Sequence, residues 1–197
     1  KSMLYLICMY GLWNLWAGTN GFFFPYILKT VGAATQAQAV AIQALSFAIG
    51  MASIYFVFMK LSDKVNQRTL FLWSAIIQVV GMALLIFFPL TIPIALLYVF
   101  LLQFGGGFGA QSFFQLWSSE QFPTILRATA QGLCFAIVRI GLGIFSFFVP
   151  MLNATGFSNL AIILTGFLII SGVIGWLWAP RNEGKSLEQL EAERARA

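Results

Sequence analysis

Amide side chains within long apolar runs are the residues of this sequence whose types and spacing could do chemistry. Asn14 and Asn20 lie in the first apolar run. Gln103, Gln111 and Gln115 lie in a later run, in a register of four residues. Residues four apart share one face of a helix, and a polar group that faces lipid is costly. We therefore predict that these amides line a wet cavity and bind a small polar solute. For the two asparagines, hydrogen bonding to neighbouring helices is the alternative.

Arg139 is the only charged residue between positions 128 and 180. Its distance from Ala128 is ~16 Å along a helix axis, which is near the middle of a membrane. An ion in that position is a candidate for a functional site by default. A guanidinium matches the carboxylate of an anionic substrate. Pairing with an acid on another segment and binding by backbone carbonyls are the two alternatives.

The groups that covalent and metal chemistry need are missing from the apolar runs. The sequence has no histidine, and Cys8 and Cys134 are predicted to be buried free thiols. Without histidine and without a deep acid, a metal site or a membrane enzyme lacks its ligands and nucleophiles. We expect no enzyme, no metal and no cofactor, and we expect a coupled proton to bind outside this sequence.

Composition indicates that the apolar runs lie within a lipid membrane. Hydrophobic residues make up 60% of the sequence, charged residues make up 9%, and the mean hydropathy is +0.88. Soluble domains carry roughly a quarter charged residues, so a membrane protein is predicted. The net charge of +5 does not indicate a nucleic-acid partner, because the basic residues lie at the ends of apolar runs.

Long uncharged runs predict six transmembrane helices in an all-α integral membrane bundle. A spanning helix needs about 20 apolar residues, and in lipid the backbone must satisfy its own hydrogen bonds. Turn residues at 89–93 and 153–156 divide the two longest runs. The bundle is predicted in residues 1–180, and residues 181–197 are predicted to form a cytoplasmic tail with a short helix. The predicted spans are 3–28, 37–60, 69–88, 94–118, 128–151 and 157–179.

The second span carries a face of polar and small residues. Gln43, Ser46, Gly50 and Ser53 follow one another at helical spacing. Small residues on one face let a neighbouring helix approach closely. We interpret this face as a packing surface, with ligand contact as the alternative.

Lys and Arg fall on one side of the predicted topology. Lys29 lies alone on the other side, and all acids share the basic side. Basic loops stay in the cytoplasm, so both ends of this sequence are predicted to be cytoplasmic in a cell membrane. The basic side carries Lys1, Lys60, Lys64, Arg68, Arg127, Arg181, Lys185, Arg194 and Arg196.

Four segments resemble signatures of the major facilitator superfamily and of its sugar porter branch. Residues 61–70 resemble the Asp-Arg-x-Gly-Arg-Arg signature of the superfamily. Residues 119–127 are similar to the Ser-Glu-x-Phe-Pro-x-x-x-Arg signature of the branch. Residues 180–188 resemble its Pro-Glu-Thr-Lys-Gly-Lys-Ser-Leu-Glu ending, and residues 18–20 match the Gly-x-Asn of its seventh helix.

The resemblance covers the whole sequence and implies the C-terminal six-helix half of a twelve-helix transporter. Such a half consists of two inverted three-helix repeats, and its substrate site lies near the midplane, facing the N-terminal half that this sequence lacks. Carried over by position, Asp63, Arg68, Glu120 and Arg127 would form a cytoplasmic gating network that clamps the inner helix ends. Ordinary orientation charges are the alternative for these four residues.

Departures from the branch bear on the substrate. The paired glutamines of its seventh helix fall at Asn14 and Leu15, its sugar-stacking tryptophan falls at Gln115, and Arg139 takes the place of an aromatic residue. The pocket is expected to have lost aromatic platforms. The resemblance implies alternating-access transport of a sugar or a polyol, including an inositol-like one, with proton coupling. A symporter of a small organic anion bound by Arg139 and a non-transporting membrane sensor are the alternatives.

Overall fold

The computed structural model describes residues 2–30, 34–154 and 156–180, and the predicted all-α fold is confirmed in them. These residues form helices and turns and contain no strand. The predicted tail helix in residues 186–197 lies outside the described residues. The helices are α1 (Ser2–Thr30), α2 (Gln36–Leu61), α3 (Gln67–Phe87), α4 (Ile92–Gln121), α5 (Thr124–Ala154) and α6 (Phe157–Trp178).

Five of these helices, α2 to α6, are long and apolar enough to cross a membrane. The helix α1 spans 29 residues, a sufficient length, but its asparagines, glycines and tryptophans make it less apolar. It packs against α2, α5, α6 and the end of α4. Its polar residues Asn14 and Thr19 are buried in protein, as polar groups within a membrane must be.

Helix pairing follows the predicted inverted repeat. The contact of α1 with α6 corresponds to the contact of α4 with α3. The contact of α1 with α5 corresponds to the contact of α4 with α2. The remaining large contact joins α3 to α6. Exchanging the first three helices with the last three leaves this pattern unchanged, as two repeats related by a pseudo-two-fold axis require. The helices α1 and α4 consequently lie at the centre of the bundle.

The helix α4 is broken in its middle, although the sequence predicted one continuous span over 94–118. Its two segments, Ile92–Gly107 and Ala110–Gln121, are joined by Phe108 and Gly109. A break frees backbone carbonyls, which need partners in an apolar surrounding. Serine hydroxyls donate to three of them. The bonds run from Ser53 to Phe104, from Ser74 to Gly105 (2.8 Å) and from Ser112 to Gly107 (2.7 Å).

Gly107 allows α4 to approach α2 closely at this break. A Cβ atom added at Gly107 would lie 2.5 Å from the Ser53 Cβ and 2.7 Å from the Gly50 carbonyl oxygen. A Cβ added at Gly106 would meet nothing within 4 Å. Immediately beyond Ser53, α2 continues as a π-helical turn over Ile54–Phe58. Both irregular segments thus lie where the two helices cross.

Two apolar clusters hold the ends of the bundle together. One surrounds Trp16, Tyr98 and Leu164, and the other surrounds Phe113 and Trp117. Trp13 packs against both clusters. The two cysteines are free, as predicted, with Cys134 buried and Cys8 partly exposed.

The turn between α5 and α6 depends on Gly156. Its φ angle is +123°, in the region that favours glycine. Its carbonyl accepts from the Asn159 amide at 3.1 Å and begins α6. Gly156, one of the predicted turn residues, thus adopts a positive φ angle immediately before α6.

Candidate functional site

A cleft of about 330 Å³ opens between α1, α2 and α4, beside the break in α4. Most of its lining is apolar, and four amides converge on it from the three helices. A concave, largely apolar site with a few convergent polar groups is the usual form of a small-molecule site. The amides are Asn20 from α1, Gln43 from α2, and Gln103 and Gln111 from α4.

The break in α4 separates the two glutamines that line the cleft. Gln103 lies in the first segment of α4, and a Cβ added at Gly50 would lie 3.3 Å from its Oε1 atom. The missing side chain at Gly50 thus leaves room for this amide. Gln111 lies in the second segment, and its Oε1 accepts from the Tyr10 hydroxyl at 2.7 Å.

Asn20 is held by two hydrogen bonds from opposite ends of its amide. Its Nδ2 donates to the Trp16 carbonyl, one helical turn earlier, at 3.0 Å. Its Oδ1 accepts from the hydroxyl of Tyr98 on α4. The side chain of Tyr98 is buried, whereas Asn20 is partly exposed to the cleft. The two bonds fix which edge of the amide faces a ligand.

Two tryptophans of α1 give the cleft an aromatic surface, although the aromatic residues of the branch are absent at Gln115 and Arg139. Trp13 and Trp16 both line the cleft, with ring centroids 5.7 Å apart and planes tilted by 58°. The Trp13 indole N–H donates to Gln78 Oε1 at 2.8 Å, and the Trp16 indole N–H donates to Met82 Sδ at 3.2 Å. With their N–H groups bound to α3, the rings present apolar surface to the cleft.

Asn14 and Arg139 meet at the Tyr10 hydroxyl rather than in the cleft itself. Asn14 is 3% exposed and Arg139 lies on the exposed face of α5. Both side chains approach the hydroxyl of Tyr10, which also bonds Gln111. Tyr10 therefore links the arginine of α5 to an amide that lines the cleft.

Gln115 lies outside the set of residues that line the cleft. It is exposed, one helical turn beyond Gln111 toward the end of α4. The break in α4 removes the continuous ridge on which the three glutamines were predicted to lie. A contact between Gln115 and substrate remains a prediction.

The four residues of the predicted gating network lie at one end of the bundle. Buried Glu120 accepts from Gln67 Nε2 at 3.2 Å, and Gln67 Oε1 accepts from the Trp117 indole at 2.7 Å. Arg68 donates to the Ala179 carbonyl at 2.8 Å, where α6 has ended. Asp63 is exposed in the turn before α3, and Arg127 is partly buried in the first turn of α5.

Several residues at the site were not predicted from the sequence. Tyr10 and Tyr98 were missed because an aromatic residue in an apolar run gives no polar signal, although each hydroxyl bonds a cleft amide. Gln43 was assigned to helix packing, yet it lines the cleft. Its spacing from Gly50 was the available signal, because both residues lie on the face of α2 that the cleft uses.

Comparisons with known proteins agree with this architecture. The family model described as Major Facilitator Superfamily matches residues 3–197. The minor myo-inositol transporter IolF of Bacillus subtilis (strain 168) is 42% identical over 98% of this chain and 44% of its own length. Polyol transporter 5 of Arabidopsis thaliana is 24% identical over 86% of this chain and 33% of its own length.

A solved structure shares the fold. The proton:xylose symporter XylE bound to 6-bromo-6-deoxy-D-glucose has a TM-score of 0.79 and 18% identity, over 97% of this chain and 42% of its own. The chain thus spans less than half the length of these relatives. The relatives are transporters rather than enzymes, in agreement with the sequence analysis.

Proposed function

Because the chain belongs to the major facilitator superfamily, in its sugar porter branch, we propose that it forms the C-terminal half of a secondary transporter for a small polyol. The solute is inositol-like and crosses the membrane by alternating access. An N-terminal six-helix half supplies the other wall of its site, as two-half transporters bind substrate between the halves. The names of the relatives, which include a myo-inositol transporter and a polyol transporter, support this solute class.

The convergence of four amides on a cleft walled by tryptophans carries the proposal. Each hydroxyl of a polyol donates one hydrogen bond and accepts two, and an amide offers both donors and acceptors. The C–H face of the ring packs on the indoles of Trp13 and Trp16. A neutral solute needs no ion pair, and the cleft lining contains no charged side chain among the described residues.

The transporter spans the cell membrane with both ends of this segment in the cytoplasm. Lys64, Arg68 and Arg127 lie in or beside the turns before α3 and α5, whereas the turns before α4 and α6 carry no charge in their described residues. This asymmetry supports the orientation through the retention of basic loops. Asp63, Arg68, Glu120 and Arg127 then lie at the cytoplasmic end, where we propose that they stabilise one of the two transport states.

Transport is proton-coupled through a group outside this chain. The acids of the described residues are Asp63 and Glu120, and both lie at helix ends rather than inside a span. A proton that crosses with substrate needs a titratable group at membrane depth. We therefore place the coupling carboxylate in the N-terminal half.

Uptake of radiolabelled myo-inositol into proteoliposomes holding the full-length transporter tests the function. We expect saturable uptake that an inward proton gradient accelerates. Gln103→Leu should lower uptake at low solute concentration about fivefold, because a lost hydrogen bond is worth about 1 kcal/mol. Gln36→Leu, at the exposed start of α2, is the matched control and should leave uptake unchanged. Uptake no faster than in empty liposomes, for every polyol offered, would contradict the proposal.

A small organic anion is the second candidate, because the exposed Arg139 approaches the hydroxyl of Tyr10, which bonds the cleft amide of Gln111. The variant Arg139→Gln separates the two candidates. A transporter of anions should lose nearly all uptake, since a charge-assisted bond to carboxylate is removed. A polyol transporter should keep a measurable fraction of its uptake. Inhibition of labelled myo-inositol uptake by sugar acids distinguishes the two candidates in the unaltered protein.

A further inference from the structure

A side pocket opens off the cleft behind Asn20. Its lining shares Trp16, Asn20, Gln43 and Gln103 with the cleft, and Ser46 and Tyr98 form its polar inner wall together with apolar residues of α1 and α4. Its free volume is about 10 Å³, about that of a single water molecule or hydroxyl oxygen. A group as large as a hydroxymethyl does not fit in this space.

Tyr98 determines what Asn20 offers to that pocket. An asparagine amide has two N–H donors and two acceptor lone pairs on its oxygen. The Trp16 carbonyl takes one donor, and the Tyr98 hydroxyl occupies one lone pair. One donor and one acceptor remain free on this amide, which is the complement of a single hydroxyl group. Without the tyrosine hydroxyl, only the bond to Trp16 would hold the amide in this orientation.

The tyrosine is itself fixed, so it can act as a template. Its side chain is 3% exposed, and its ring packs against Phe24 with centroids 5.1 Å apart. Ser46 next to it is also buried and donates to the Gln43 carbonyl at 2.7 Å. The inner wall of the side pocket is therefore rigid, and substrate has to adapt to it.

We propose that Tyr98 is a positioning residue that orients the Asn20 amide to bind one ring hydroxyl of the solute in the side pocket. This inference rests on the proposed function and deepens it. Tyr98, which does not line the cleft, thereby sets the specificity for a secondary ring hydroxyl over a hydroxymethyl group.

A double-mutant cycle in the full-length transporter tests the assignment. KM and maximal rate are measured in proteoliposomes for the unaltered protein, Tyr98→Phe, Asn20→Ala and the double variant. Tyr98→Phe should raise KM about fivefold, the effect of one lost hydrogen bond, with a maximal rate within about twofold. In the Asn20→Ala background the same change should alter KM less than about twofold, because the two residues act as a unit.

Tyr5→Phe is the matched control, since the Tyr5 hydroxyl reaches the Gly175 carbonyl of α6 at 3.5 Å, away from the cleft. It should leave KM unchanged. An equal rise of KM for Tyr98→Phe in both backgrounds would overturn the proposal, because Tyr98 would then act on the fold. A KM for Tyr98→Phe within about twofold of the unaltered protein would overturn it too.

Ser46→Thr provides an independent variant that keeps the tyrosine. The added methyl group fills the space of one oxygen, so KM for the polyol should rise about tenfold or more. An unchanged KM would show that no hydroxyl enters the side pocket.

All variants are measured with the best-transported member of a panel containing myo-inositol, a hexose and a sugar acid. A best substrate other than a polyol refutes the proposed function, whereas the cycle still decides the role of Tyr98.

Discussion

Amides within the helices of this protein have two different roles, and the neighbours of each amide show which role it has. Gln78 is 2% exposed, accepts from the Trp13 indole and donates to the Ser74 hydroxyl at 2.9 Å. It links α1 to α3 and has no surface left for a ligand. Gln103 is partly exposed and lines the cleft. An amide within a membrane is costly at either position. Only the amide of Gln78 is satisfied entirely by hydrogen bonds to protein.

Replacing Gln78 with leucine should destabilise the protein by about 2 kcal/mol. The Trp13 N–H and the Ser74 hydroxyl would each lose a buried partner, and an unsatisfied buried group costs about 1–3 kcal/mol. Thermal unfolding in detergent measures the effect. Gln36→Leu is again the exposed control. A melting temperature equal to that of the unaltered protein would show that the Gln78 bonds contribute no net stability.

The sequence could predict some of the amides that line the cleft, but not which side chains meet there. Of the five amides predicted to line a cavity, Asn20, Gln103 and Gln111 line the cleft, whereas Asn14 and Gln115 do not. That expectation follows from the cost of exposing an amide to lipid. The hydroxyl partners, Tyr10 and Tyr98, come from other helices. Such contacts depend on helix rotation and crossing, which a single sequence does not encode locally.

At the scale of a helix, the break in α4 has a definite physical origin. Glycines at 105–107 and 109 weaken the helix, because each costs about 1 kcal/mol relative to alanine. Serines of α2 and α3 then bind the carbonyls of Phe104 and Gly105. The sequence indicated a weak helix over several residues. The position of the break is set by these contacts, which is why it could not be predicted.

Substitutions at adjacent glycines of α4 should have opposite effects. Gly107→Ala places a methyl group against the Gly50 carbonyl, and overpacking of this kind costs about 1–3 kcal/mol. Gly106→Ala meets open space and should be neutral or stabilising by up to about 1 kcal/mol through helix propensity. Melting temperatures of the two variants measure the difference. Equal melting temperatures would contradict the close approach of α4 to α2.

For the whole molecule, the pairing of helices follows the internal repeat. The pairs α1–α6 and α3–α4 correspond, as do α1–α5 and α2–α4. The six-helix fold was predictable, because uncharged runs and turn residues mark the spans. The helix α1 is less apolar than the other five helices, because it packs against four of them inside the bundle.

The predicted orientation has a direct test at two exposed turn positions. In a protein without native cysteines, Val65→Cys lies in the turn before α3 and Thr91→Cys lies in the turn before α4. A membrane-impermeant maleimide should label Val65→Cys only from the cytoplasm and Thr91→Cys only from outside, because basic turns stay inside. Labelling of both positions from one face of the membrane would contradict an odd number of crossings between them.

The central claim is that a polyol occupies the cleft between α1, α2 and α4, and protection of cysteines measures this most directly. Phe47 and Phe56 are both on α2 and are 59% and 61% exposed, but only Phe47 lines the cleft. In full-length protein lacking Cys8 and Cys134, myo-inositol should slow maleimide labelling of Phe47→Cys, with half its effect near KM. Labelling of Phe56→Cys should not change. Equal labelling rates at Phe47→Cys with and without a saturating, transported polyol would contradict the account.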